Sequence, residues 1–96
     1  MERQPIRALI DAVDRVLWEV WDPIGVNGYP EARDEYTGYA PVVARMLHDG
    51  ATDAEIGWHL SGIMVDRMGL SYVDLHQAAR TLAALRALVD GGTAGV

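Results

Sequence analysis

"PIRALIDAVDRVLWEVWDP", residues 5–23, decides the fold class. Ile6, Leu9, Ile10, Val13, Leu17 and Val20 recur in steps of three and four, the spacing that lines one face of an α-helix. Arg7, Asp11, Asp14 and Arg15 lie off that stripe, and Val16 and Trp18 broaden it, so the helix packs against more than one neighbour. Pro5 suits the first turn, where its missing N–H has no helical partner. Pro23 disfavours helical geometry at Asp22 and ends the run.

Downstream the same period returns three times. Pro41 opens a second helix over 41–49, with Val42, Val43, Met46 and Leu47 inward and Gly50 in the left-handed terminal position. "TDAE" at 52–55 has capping-box spacing, so Thr52 caps a third helix and Glu55 bonds back. That helix runs to about Met68, with Ile56, Leu60, Ile63 and Met64 on its main stripe, Trp58 and Val65 beside them, and Gly69 as its stop. Gly57, Ser61 and Gly62 are poor helix formers, which predicts close approach of another helix at Gly57 or Ser61. Ser71 with Asp74 repeats the cap pattern. The last helix carries Leu75, Ala79, Leu82, Leu85 and Val89 at near-heptad spacing, and the tail frays from about residue 91. Met46, Met64 and Met68 read as core filler. No alternating strand pattern or internal repeat occurs. The expected architecture is one all-α domain over residues 1–96, a small bundle of four helices with a long first connection that contains a short helical turn.

Composition narrows the functional classes. The chain has 96 residues, half of them hydrophobic, enough for one modest core. Phenylalanine and cysteine are absent, so Trp18, Trp21 and Trp58 are the largest core candidates and no disulfide or thiolate metal site can form. The net charge is −6, all eight cationic side chains are scattered arginines, and neither nucleic acid nor an anionic membrane finds a basic surface. No signal peptide and no apolar run of membrane-spanning length is present, so a cytoplasmic protein is expected.

The first connection, residues 22–40, holds Tyr29, Tyr36 and Tyr39 and four carboxylates against one arginine. Asp22 can bond its side chain to the backbone of the following turn. Trp21, Pro23, Ile24 and one of Tyr36 or Tyr39 are expected to fold inward and anchor the connection. Glu31 and one of Asp34 or Glu35 are expected to face outward. "PEARDEY" can form a helical turn with Pro30 at its first position. Elsewhere, Glu55, His59 and Asp66 fall near one helix face at a spacing that could hold a metal, although local charge pairing accounts for them as well. His48 suits the carbonyl end of the second helix, and His76 reads as exposed. No serine or threonine has a base beside it, and no glycine loop has phosphate-binding spacing. No cofactor and no catalytic residue is assigned.

"VWDPIGV" at 20–26, "DEYTGYAP" at 34–41 and "HDGATDAEI" at 48–56 resemble a family of small uncharacterised bacterial helical proteins, a domain of unknown function, over residues 18–70. Its mark is W-D-P-I followed about a dozen residues later by D-E-Y, here Trp21, Asp22, Pro23, Ile24, Asp34, Glu35 and Tyr36. The resemblance implies a compact helical fold and brings no catalytic residues; some similar proteins look like toxin-immunity proteins. The leading expectation is an acidic cytoplasmic protein-binding domain that covers a partner protein, such as a basic toxin, through Tyr29, Glu31, Asp34, Glu35 and Tyr39. The alternatives are a metal-binding or hydrolytic protein using Asp22, Asp34, Glu35 and His59, and a structural or regulatory homodimer joined through the last helix.

Overall fold

The computed structural model describes residues 6–70 and 74–94, with side chains described through residue 89. The fold is all-α: α1 (Ile6–Val16), α2 (Ala40–His48), α3 (Asp53–Gly62) and α4 (Leu75–Ala94), with no strand among the described residues. Pro5, Ser71 and residues 95–96 lie outside the described residues.

The stripe of α1 buries Leu9, Val13 and Val16. The helix then widens into a π-helical turn, Leu17–Trp21, which buries Leu17 and Trp21. Asp22 ends it in the left-handed region, at φ 32° and ψ 58°, with its N–H donating to the Leu17 carbonyl. Pro23 removes the helical alternative at that residue.

α2 begins at Ala40, one residue before Pro41, and buries Ala40, Val43, Ala44 and Leu47. Val42, expected inward, is 50% exposed, because the buried line runs in steps of three and four from Ala40 and passes it by. Gly50, at φ +87°, closes the helix, and the Ala51 N–H reaches back to the Met46 carbonyl. α3 starts with the expected capping box: Thr52 Oγ1 accepts from the Glu55 N–H, and Glu55 Oε1 accepts from the Thr52 N–H at 2.8 Å. It ends in a second π-helical turn, Ile63–Arg67, and Gly69 follows at φ +70°. Trp58, a core candidate by size, is 84% exposed. It stands two residues from both Ile56 and Leu60, about 200° around the helix from each.

At the start of α4 the expected roles shift. Asp74 itself is the cap, with Oδ1 accepting from the N–H groups of His76 and Gln77. Leu75 and Ala79, expected on the packed stripe, are exposed. Counting back from buried Leu85 in steps of four and three reaches Thr81, Ala78 and Gln77 instead. Thr81 is fully buried, and its hydroxyl donates to the Gln77 carbonyl at 2.8 Å. The backbone stays helical through Ala94, past Gly91 and Gly92. α4 braces the other three helices. The Gln77 carboxamide donates to the Trp21 carbonyl, and Arg86 bonds both Asp53 and the Ala51 carbonyl at 2.8 Å.

Candidate functional site

The connection between α1 and α2 is organised around the Tyr36 hydroxyl. It donates to Asp22 Oδ1 at 2.8 Å and accepts from the Ile24 N–H at 3.3 Å. The same carboxylate accepts from the N–H groups of Val26 (2.8 Å) and Asn27 (3.3 Å), so Asp22 caps the turn that follows it. Tyr36 is fully buried, with its ring 5.5 Å from Trp21 and 6.2 Å from Trp18 between centroids. Burial first, and the Asp22 carboxylate second, raise its phenol far above the ordinary tyrosine range. Tyr39 meets the edge of Trp21 at 6.2 Å and is half-buried.

Further side chains tie the connection back to α1. Arg33 pairs with Asp14 at 3.1 Å and lies over the Trp18 ring, 5.3 Å from its centroid. The Thr37 hydroxyl donates to Asp14, and the Asn27 carboxamide donates to the Trp18 carbonyl, which the helix end leaves free. Two short 3-10 turns, Pro30–Ala32 and Thr37–Tyr39, add backbone pairing along the connection, with Pro30 in the first position of the first.

Pro23 is half-buried, but Ile24 is 39% exposed and does not anchor the connection. The turn closed by the Gly25 N–H on the Asp22 carbonyl, with Gly25 at φ +68°, carries that side chain outward. Val26 packs against the core instead.

Asp34 and Glu35 are both exposed, so neither is the inward partner that their adjacency suggests. With Gly38 and Tyr39 they line one side of a cleft of about 480 Å³, closed on the other side by Val42, His59, Ile63 and Arg67. Tyr29, 57% exposed, and Glu31 lie outside this cleft. Sequence reasoning missed Val42, Ile63 and Arg67 as cleft residues. In the sequence Val42 reads as part of the packed stripe, and the pairing of Ile63 and Arg67 with a loop some thirty residues upstream leaves no local trace.

Chemically the cleft offers acidic and aromatic contact from Asp34, Glu35 and Tyr39 beside the cationic Arg67. Asp22 is committed to Tyr36 and the 26–27 backbone and does not line the cleft with Asp34 and Glu35. Among the described residues no group of three or more histidine and carboxylate side chains is placed to hold a metal ion, so neither Asp22, Asp34 and Glu35 nor Glu55, His59 and Asp66 form such a centre. His48 ends α2 as expected, with Nδ1 3.2 Å from Asp49 Oδ1. In α4, Leu82, Ala84, Leu88 and Val89 pack on the core, and the exposed apolar residues are Leu75, Ala79, Ala83 and Ala87. No helix among the described residues is long and apolar enough to cross a membrane. No protein-family model, curated protein or solved structure matches the chain, so a functional reading rests on this geometry.

Proposed function

We propose that this chain is a small, acidic, cytoplasmic protein-binding domain. It covers a basic partner with the surface built on residues 22–40, in the manner of an immunity protein over a toxin. One observation carries the reading: the connection divides its polar side chains into two sets. Asp22, Asn27, Arg33, Tyr36 and Thr37 hold it to α1 and to itself. Asp34 and Glu35 make no side-chain hydrogen bond or ion pair with the described residues, and they face one cleft with Tyr39.

Carboxylates without fold partners on a chain of net charge −6 steer a cationic protein surface, and tyrosine supplies rigid contact area at low entropic cost. The test begins with a pull-down from the native organism and continues with Glu31→Arg and Glu35→Arg against the recovered partner. Both variants should melt within about 0.5 kcal/mol of the parent, as exposed substitutions do. Association should slow at low salt, and the difference should shrink as salt rises. Normal association by both variants at low salt removes the reading.

A further inference from the structure

α2 and α3 are consecutive helices joined by residues 49–52, yet each packs chiefly on other helices, α2 on α1 and α3 on α4. Their outer sides leave a groove. At the joined end it is a cleft of about 590 Å³ lined by Pro41, Val42, Arg45, Met46, Ala51 and Glu55. At the open end it is the cleft of Asp34, Glu35 and Tyr39 already described. Val42 lines both, and its side chain is 50% exposed. Exposed Val42 and the half-buried Met46 and Tyr39 therefore form an apolar track along the groove, with buried Ile63 at its floor. Its rims carry Asp34, Glu35, Asp49 and Glu55 against Arg45, Arg67 and the imidazole of His59.

We propose that this groove is a docking site for a basic amphipathic helix of a partner protein. The proposal rests on the protein-binding reading above and narrows it from the whole connection to one groove. An apolar track between polar rims matches the apolar stripe of a helix laid alongside. α2 spans nine residues, a length of about 13 Å, so it accommodates two to three turns of a partner helix with anchors at i, i+3 or i+4, and i+7. Charge selects the occupant. The rim is acid-rich, and a second copy of this lysine-free chain would bring another net −6 to the interface. A helix with lysine or arginine beside its apolar stripe is complementary to both features.

The test titrates the full-length, isotope-labelled chain with a synthetic peptide of roughly 14 residues, about four helical turns, with leucine on one stripe and lysine elsewhere. Controls are the same composition in scrambled order and the same stripe with glutamate for lysine. The amphipathic basic peptide should bind one-to-one and shift the amide resonances of Val42, Met46, Ile63 and Arg67, while both controls bind at least about tenfold more weakly. Val42→Asp should keep the parent circular dichroism, because the side chain is exposed, and lose about tenfold or more in affinity, near 1.4 kcal/mol. Glu31→Arg, outside the groove, should change peptide affinity by less than about twofold at about 0.15 M salt, where steering by an outlying charge is screened. Unchanged affinity in Val42→Asp, equal binding of a control, or no binding at millimolar peptide overturns the proposal. Shifts confined to Tyr29–Glu31 overturn the groove while leaving the wider reading of the connection in place.

Discussion

At Asp22 the chain passes through the left-handed region, where side chains other than glycine are strained and aspartate or asparagine is the usual exception. The carboxylate offsets that strain by accepting from Val26, Asn27 and Tyr36. A hydrogen bond to a charged group contributes about 1.5–3 kcal/mol, and three on one carboxylate do not add. Asp22→Ala should therefore cost about 2–3 kcal/mol in chemical denaturation, and Asp22→Asn, which keeps one acceptor and the tolerance for that backbone, should cost less. Tyr36 gives a pH signature. Below about pH 10 its phenol is neutral in the folded and the unfolded chain, and its stabilisation is complete. At higher pH the unfolded chain ionises while the folded one holds its proton, so stability falls as pH rises, by up to about 1.4 kcal/mol per unit. Tyr36→Phe should show a lower plateau and lack that alkaline slope, measured by denaturation between pH 8 and 11. The sequence suggested the Asp22 cap because aspartate before proline at a helix end is a local pattern. It left open whether Tyr36 or Tyr39 is buried, since that depends on the two tryptophan rings around the Tyr36 pocket.

Among the elements, α1 and the capping box of α3 were legible because local spacing dictates them, and the faces of α2 and α4 were less so. In α2 the packed line contains Ala40 and Ala44, residues that a hydrophobic pattern underweights, so the pattern points Val42 inward in their place. In α4 a buried threonine occupies the centre of the packed line, which a search for apolar residues skips. The glycines of α3 pointed to a close helix neighbour, and Leu82 of α4 is that neighbour. A methyl group added at Gly57 would meet Leu82 Cδ1 at 3.5 Å, an ordinary van der Waals distance. Gly57→Ala should therefore raise stability by about 0.5–1 kcal/mol through reduced backbone entropy in the unfolded chain, read as an increase in denaturation midpoint. A decrease would mean that α3 and α4 cannot give way at this crossing.

For the whole molecule, the apolar composition of α4 admits two uses, the core of one chain or the seam between two. Leu82, Ala84, Leu85, Leu88 and Val89 serve the first, and Ala79, Ala83 and Ala87 are free for the second. Two single substitutions separate them. Ala84→Glu should lower stability by at least about 1 kcal/mol, because it puts a carboxylate against the core. Ala87→Glu should leave stability within about 0.5 kcal/mol. If a dimer forms through this face, sedimentation of Ala87→Glu should show a smaller species than the parent; a parent that sediments as a monomer at every concentration rules the seam out.

The widened turn at Leu17–Trp21 also says how the chain tolerates changes in length. A π-helical turn holds one residue more than an α-helical one, so it reads as an insertion absorbed within a helix without breaking it. Deleting a single residue there should therefore restore regular helix and leave everything after the cut in nearly the same phase, whereas the same deletion within Ile6–Val16 would swing it by about 100° around the axis. Only the deletion within Ile6–Val16 would take Trp21 from its place beside Tyr36 and turn the Asp22 cap the wrong way. The spare residue is thus slack: at this one turn the first helix can lose a position without re-aiming the connection that α2 and the groove depend on.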